Sequence, residues 1–402
     1  MTLATSPVAR RPNIVTLVTI SATAALSMNI FLPSLPAMAE DFGVEYGFMQ
    51  LSVSAFLGVS AVVQLLCGPI SDRFGRRPVV LGSFAIFLLA TLGTLLAPDA
   101  YWFMAFRLTQ AVITTGFVIS RAIVRDMVPA EQAASMIGYV TMGMSLVPMI
   151  APTIGGILDE TLGWRASFVA MGLAGLGVMT LCAIALPETA RDGGVPLARQ
   201  IATYPVLARS RRFWGYALSA TLCAGAFYAY LGGAPFVGQS VMQLSAAEIG
   251  YWFALPSLGY ACGNFISARF TVRLGMNNLI LAGAIISTVF LAGTVIADLL
   301  DMLTPLLFFG AVGFMGLGNG LLMPNANAGL MSVRPELAGT ASGLGGALSV
   351  AGGAGLAALA GALLNEQSGA MPLLIIMTLS SAGSVAAILW VLVRERQLLR
   401  GR

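Results

Sequence analysis

The feature that most limits what this chain can become is a succession of twelve apolar runs, each long enough to cross a bilayer as a helix. They fall at about 13–35, 47–70, 78–97, 101–123, 133–158, 165–187, 213–237, 248–271, 277–297, 303–328, 338–364 and 370–393. About twenty residues suffice to span the hydrocarbon of a bilayer in helical form. Inside lipid every backbone N–H and C=O must be satisfied within a helix or a closed barrel. Barrel strands alternate in polarity over about ten residues, whereas these runs are continuous, so helices are predicted. Of 402 residues 57% are hydrophobic and 9% charged. A water-soluble chain would carry roughly a quarter charged.

Charge then sets orientation. Every basic residue is arginine, and lysine and histidine are absent. Arg10, Arg11, Arg73, Arg76, Arg77, Arg121, Arg125, Arg191, Arg199, Arg209, Arg211 and Arg212 lie on one side of the predicted spans. Arg269, Arg273, Arg334, Arg394, Arg396, Arg400 and Arg402 fall there too. The opposite loops hold Glu40, Asp41, Glu45, Asp99, Asp159, Glu160, Glu248, Asp298, Asp301 and Glu366, with Arg165 their lone cation. By the positive-inside rule both termini are cytoplasmic. The net charge of +4 therefore reports topology and gives a nucleic-acid partner little support.

Cys67, Cys182, Cys223 and Cys262 lie inside predicted helices, which argues against disulfides. Without histidine a metal site has almost no ligands, and without lysine there is no phosphate loop for a nucleotide-driven pump. No cofactor and no metal are expected. Ala37-Met38-Ala39 mimics a signal-peptidase site, but the run before it exceeds the core of an ordinary signal peptide.

The expected organisation is two six-helix bundles, 1–187 and 213–402, joined by a polar cytoplasmic linker at 188–212. The linker contains Gly193-Gly194, Pro196 and Pro205. Six plus six is the pattern of parallel repeats about an axis along the membrane normal. Echoes support it: Asn29-x-x-Leu32-Pro33 against Gly232-x-Ala234-Pro235-Phe236, and Gly263, Ser267, Arg269 and Arg273 as a worn copy of the loop at 68–77.

That loop reads Gly68-Pro69-Ile70-Ser71-Asp72-Arg73-Phe74-Gly75-Arg76-Arg77. Further on come Arg107-Leu108-Thr109-Gln110, Ser120-Arg121-Ala122-Ile123-Val124-Arg125-Asp126-Met127, and Pro148-x-x-Ala151-Pro152-x-x-Gly155-Gly156. Gly163-Trp164-Arg165-x-x-Phe168, Leu186-Pro187-Glu188-Thr189, Pro324-Asn325-Ala326 and Ala338-Gly339-Thr340-Ala341-Ser342 complete the set. In this order they resemble the major facilitator superfamily, and within it the bicyclomycin-resistance (Bcr/CflA) branch of drug:proton antiporters.

The resemblance implies an all-α membrane protein of the major facilitator fold, with twelve transmembrane helices in two six-helix bundles. It implies a multi-pass exporter of small molecules in a bacterial inner membrane, alternating between inward-open and outward-open states. In the family the loop of Gly68, Asp72, Arg73, Gly75, Arg76 and Arg77 latches the halves together on the cytoplasmic face. Asp72 can face the N-terminus of the eleventh helix, where the macrodipole is positive. A set of purely topological charges would have no use for Asp72.

Arg107 lies about two turns inside its helix, at a depth that costs roughly 2.5–3.5 kcal/mol on insertion scales. Gln110 shares its face, and Asn29 sits at comparable depth. Contact with substrate or a coupling network is expected of Arg107; the alternative is a structural arginine bonded to backbone carbonyls. Pro148, Pro152, Gly155 and Gly156 make either a bendable seam sealing the cavity or a plain packing surface. Phe31, Phe227, Tyr228, Met142 and Met144 are pocket candidates, and Tyr230 and Phe236 lead them because they flank Gly232-Gly233.

One departure matters. Where the branch pattern is Asp-x-Tyr-Leu-Pro-x-Leu-Pro, this chain has Asn29-Ile30-Phe31-Leu32-Pro33-Ser34-Leu35-Pro36. An amide carries no proton near neutral pH. The coupling candidates that remain are Asp72, Asp126 and Glu188, all near helix ends. Without an opposing acid, Arg107 should favour neutral or anionic substrates.

The expected function is export of small amphipathic drugs in exchange for protons through an unusual coupling site. The expected partners are a small-molecule substrate, a proton and the lipid bilayer, with no required protein partner. A facilitator or antiporter of a polar metabolite stays open through Asn264, Asn319, Asn325 and Asn327, and a non-transporting receptor is a further alternative. An enzyme is not expected, since no embedded His, Lys or carboxylate is available for acid–base work.

Overall fold

The computed structural model describes residues 13–128, 136, 140, 147–189, 204–334, 337–365 and 367–400, and these are helical with no strand among them. Arg10, Arg11, Met142, Met144, Arg191, Gly193-Gly194, Pro196, Arg199, Glu366 and Arg402 lie outside the described residues.

Helix α1 (Ile14–Asn29) starts at Asn13, whose side chain accepts from the Val15 amide at 3.1 Å. A 3-10 turn over Leu32–Ser34, carrying Pro33, separates it from α2 (Leu35–Asp41). Then come α3 (Tyr46–Phe74), α4 (Arg76–Leu95) and α5 (Ala100–Thr109). A second 3-10 turn, Gln110–Thr114, leads into α6 (Thr115–Met127). Helices α7 (Val147–Leu162) and α8 (Arg165–Ala185) complete the first half.

The second half holds α9 (Tyr204–Ala208), α10 (Arg211–Phe236), α11 (Ala246–Trp252) and α12 (Ala254–Leu274). Helices α13 (Met276–Leu299), α14 (Pro305–Val333), α15 (Ala338–Leu363) and α16 (Met371–Arg400) follow. Starts are capped where the chain leaves the apolar layer. Asp99 accepts from the Tyr101 and Trp102 amides, and Ser245 with Glu248 forms a reciprocal capping box on α11.

Ten stretches of the described residues are long and apolar enough to cross a membrane. They correspond to the predicted runs other than 133–158 and 248–271. The first of these is described mainly from Val147 onward, and the second breaks at Phe253 between α11 and α12. Large apolar side chains such as Leu89, Ile184 and Val272 stand exposed, an arrangement that lipid accommodates and water does not.

In the first half α4 packs on α8, and α1 on α6 and α8. In the second, α14 lies along α12 and α13, while α10 lies along α15 and α16. Across the halves α3 packs on α15 and α7 on α11. The same tight turn recurs at matching places: Gly75 (φ 96°) joins α3 to α4, and Gly275 (φ 83°) joins α12 to α13. Both backbones sit where an L side chain is strained. The matching register is Arg73-Phe74-Gly75 with Arg273-Leu274-Gly275, so the worn copy extends to a turn glycine that the listing of Gly263 to Arg273 stopped short of.

The end of the expected linker is not a loose tether. Leu207 of α9 is fully buried in the cluster containing Phe213, Tyr216 and Val391, and α10 begins at Arg211. An apolar residue in an otherwise polar segment found a hydrophobic surface to cover it.

Candidate functional site

Arg107 is held in the first half by α1, α3 and the end of α5, and is 1% exposed. Its Nη2 donates to the Ser27 carbonyl at 2.8 Å, its Nε to the Ser52 carbonyl at 3.3 Å, and its Nη1 to Gln110 Oε1 at 2.8 Å. Phe31 and Phe56 sandwich the guanidinium, their ring centres 4.3 and 4.1 Å away. Gln110 in turn donates to Thr91 Oγ1 at 2.9 Å. The break from α5 into the 3-10 turn starts at Gln110, so this polar knot lies where the fourth span changes its winding. Such an arrangement is that of a structural arginine. In this conformation the substrate contact expected of Arg107 and Gln110 gives way to the carbonyl-bonded alternative, because paired donors and rings on both faces leave the guanidinium enclosed.

Asn29 does not join the knot. Its Nδ2 donates back to the Ala25 carbonyl at 2.7 Å, and its Oδ1 is buried without a hydrogen-bond partner among the described residues.

Tyr230 is equally enclosed. It lies in the second half among Phe227, Phe253, Phe308 and Phe309, with ring centres 5.0 to 6.5 Å from its own. It is fully buried, and its hydroxyl has no hydrogen-bond partner among the described residues. Tyr230 is thus part of an aromatic core, while Phe236, six residues on, lies between the halves.

That second position is a seam. The Tyr46 hydroxyl donates to the Gly232 carbonyl, and its ring lies 5.0 Å from that of Phe236. Gln50 Nε2 of α3 donates to the Ala357 carbonyl of α15 at 2.7 Å. Thr153 Oγ1 donates to the Gly250 carbonyl at 2.9 Å, and the Ala247 amide donates to Glu160 Oε1 at 2.9 Å. A Cβ on Gly155 would strike the Ile30 carbonyl, and one on Gly156 the Ala246 carbonyl. Gly155 therefore fits α7 against the start of the second segment of the first span, and Gly156 fits it against the opposite half. Pro148 and Pro152 lie on the same helix, with the Pro152 carbonyl against Gly250. An open cavity of about 560 Å³ beside the seam is lined by Tyr46, Phe236, Glu40 and Gln239. All these contacts lie at the end of the molecule that carries the acidic loops.

The loop at the opposite end is satisfied within its own half. Arg76 pairs with Asp72 and, at 3.1 Å, with Asp126, and its Nη1 also donates to Ser71 Oγ. Glu188 accepts from the Arg76 amide at 2.8 Å and the Arg77 amide at 3.1 Å. Arg77 Nη2 donates to the Ala183 carbonyl at 2.8 Å, and Arg73 lies over the Phe74 ring. A Cβ on Gly75 would occupy the place of the Glu188 carboxylate. Gly68 has open space beside it. The resolved partner of Asp72 is Arg76, one turn along, where the eleventh helix was expected. The three coupling candidates thus gather around one arginine.

The sequence reading passed over Tyr46 and Gln50, although a glutamine in the first turns of an apolar span was a visible signal. It also counted Arg121 only as a topological charge. Arg121 stands exposed on α6 and interacts electrostatically with Tyr260 of α12, which is also coupled to Tyr228 and bonded to Asn264. This cluster bridges the halves on the inner side of the seam. Among the described residues no three His, Cys, Asp or Glu side chains gather as a metal site.

Comparison with known proteins fits this architecture. The sequence profile described as Major Facilitator Superfamily matches residues 17–358. Multidrug resistance protein D of Escherichia coli (strain K12) is 30% identical over 393 residues, covering 96% of each chain. The bicyclomycin resistance protein homolog of Haemophilus influenzae is 27% identical over 364 residues, 89% of this chain and 91% of the relative. A chloramphenicol resistance protein of Pseudomonas aeruginosa is 28% identical over 331 residues, covering 79% and 76%. A bacterial homolog of the lysosomal transporter Spinster, inward-facing and occupied, superposes with a TM-score of 0.76 at 17% identity over 97% of each chain. A D-xylose-proton symporter superposes with a TM-score of 0.75 at 14% identity, over 94% of this chain and 96% of that one. At those identities the two structures speak for the fold alone. A helical multi-pass membrane protein with this fold and this profile match belongs to the major facilitator superfamily, and is a transporter rather than an enzyme.

Proposed function

We propose that the chain exports small amphipathic molecules, neutral or anionic, across a bacterial inner membrane by opening alternately to its two faces. The bundles 1–187 and 213–402 are the moving bodies, 188–212 joins them, and both termini are cytoplasmic. The observation that carries this reading is the seam. The halves are held at the acidic end by hydrogen bonds to backbone groups and by glycine packing, while the resolved charge pairs of the basic end stay within one half. Such a closure can part without stranding a charge in lipid. The drug-resistance names of the relatives support the substrate class. Arg121 between the halves supports the preference for neutral or anionic cargo, with Tyr228 and Tyr260 as its aromatic neighbours.

Proton antiport would run through the peripheral Asp72, Asp126 or Glu188. A facilitator of a polar metabolite is the second reading. It is favoured by the amide at Asn29 and by the placement of every described carboxylate near a helix end.

Proteoliposomes with an imposed pH gradient separate the two. Labelled chloramphenicol, a neutral drug, is expected to accumulate against its gradient and to be released by a protonophore. Equilibration that ignores the pH gradient would establish the facilitator instead. Competition by quaternary amines stronger than by neutral drugs would sink the charge preference.

A further inference from the structure

At the basic end of the second half, an open cleft of about 550 Å³ gathers five arginines from three parts of the chain. Arg209, Arg211 and Arg212 come from the approach to α10 and its first turn, Arg334 from the end of α14, and Arg394 from α16. Its walls include no acidic residue. Glu395 lies beside it and is engaged on its own account: it accepts from Arg212 at 2.8 Å, from the Tyr216 hydroxyl at 3.2 Å and from Asn277 at 2.7 Å. That network fixes Arg212 and leaves the cleft with an excess of positive charge. Arg209 and Arg211 are exposed, and Arg394 reaches Gln397 at 3.2 Å.

The positive-inside rule explains why arginines flank spans on this side. It does not ask three separate segments to bring them to one concavity, where they repel one another. Convergence of this kind is what an anion repays, and guanidinium groups match phosphate oxygens in a fork geometry that a lone ammonium lacks. Two apolar side chains share the cleft, Val206 of α9, which is half exposed, and Val333. Beside them the Trp214 indole donates to the Ala208 carbonyl at 2.7 Å, in the manner of residues at a membrane boundary. A ligand with a phosphate for the arginines and an acyl chain for the valines fits both kinds of wall.

We propose that this cleft binds the phosphate of an acidic phospholipid headgroup and so fastens the start of α10, the end of α14 and α16 to the leaflet. The shared chemistry is a phosphate anion. Basic pockets at a membrane face hold anionic headgroups by this same electrostatic attraction.

The test uses the purified full-length transporter in neutral detergent, titrated with phosphatidylglycerol, phosphatidylcholine or inorganic phosphate and read by native mass spectrometry. Phosphatidylglycerol is expected to bind at least about tenfold more tightly than phosphatidylcholine. The double variant Arg209→Gln/Arg211→Gln should lose about tenfold or more of that affinity. The charge-matched double variant Arg269→Gln/Arg273→Gln, on the same face outside the cleft, should lose little. Arg394→Gln reaches the cleft from another helix and should lose several-fold, so the result does not rest on one variant's folding; monodispersity of each is checked by gel filtration. Equal losses in the two double variants would overturn the proposal, since general surface charge would then suffice. No preference for phosphatidylglycerol would overturn it as well. Displacement of the lipid by millimolar inorganic phosphate would assign the cleft to a soluble phosphate compound and overturn the lipid assignment.

Discussion

Arg107 offers more hydrogen bonds to the protein than a substrate-binding arginine should be able to spare. Truncating it to alanine would leave the Ser27 and Ser52 carbonyls and Gln110 Oε1 short of their donor in a buried site. Each orphaned group costs about 1–3 kcal/mol, and the lost ring stacking adds about 0.5–2 kcal/mol. Arg107→Ala is therefore expected to lower the thermal stability of the detergent-solubilised protein by many degrees. Arg107→Lys should rescue only part, because an ammonium cannot stack flat between Phe31 and Phe56. Unchanged melting with abolished transport would return Arg107 to the substrate site.

Asn29 shows the opposite condition, a buried oxygen with no donor. Asn29→Asp installs a group that titrates where the amide does not. Drug uptake into inverted vesicles by this variant is expected to depend more steeply on the imposed pH gradient than uptake by the parent protein. An unaltered dependence would mean that coupling does not pass through the first span.

Among the elements, α7 and α11 carry the clearest pH dependence. The Ser245 side chain and the Ala247 amide hold the Glu160 carboxylate below its ordinary value, with burial acting weakly the other way. Its neighbour Asp159 is shifted upward, chiefly by burial, with Ser34 lowering it and Glu160 raising it. A carboxyl depressed in the closed state favours that state fully above the ordinary glutamate value, and the benefit fades as pH falls through the depressed one. Spin labels at the outer ends of α7 and α11 should therefore move apart as the medium is acidified into that range. Glu160→Ala should be wider at neutral pH and lose the Glu160 contribution to the response. Distances independent of pH in the parent protein would remove Glu160 from the gate.

The elements also show what could be read from sequence and what could not. Run lengths placed the spans, because the thickness of hydrocarbon dictates them, and Gly75 marked its turn because a left-handed backbone needs glycine. Tyr230 and Phe236 looked alike in sequence, since both flank the same glycine pair. One turned into an aromatic core and the other into the seam, and only the rotation of α10 against its neighbours decides between them. Arg107 was found by its depth, yet its partners are main-chain carbonyls of α1 and α3, which no residue identity announces. Asp72 was seen as exceptional, while its pairing with Arg76 depends on whether the halves are closed at that end.

For the whole molecule, the seam glycines bear on the balance between conformations. Gly156→Val places a side chain where the Ala246 carbonyl and Ala247 lie, so the closure seen here cannot form unchanged. The helix itself remains intact. The expected result is a folded, monodisperse protein whose labelled outer ends stay separated and whose transport falls by tenfold or more. Full transport with a closed outer end would show that the seam can give way locally.

Each ion pair resolved among the described residues, Asp72–Arg76, Asp126–Arg76, Asp41–Arg165 and Glu395–Arg212, stays on one side of that seam. The bonds that cross it end on main-chain atoms, which every residue possesses. A clasp of that kind does not read the chemistry of the side chains around it. Substitutions that reshape the space between the bundles can therefore accumulate without jamming the motion, and a lineage built this way is free to change its cargo while keeping its hinge.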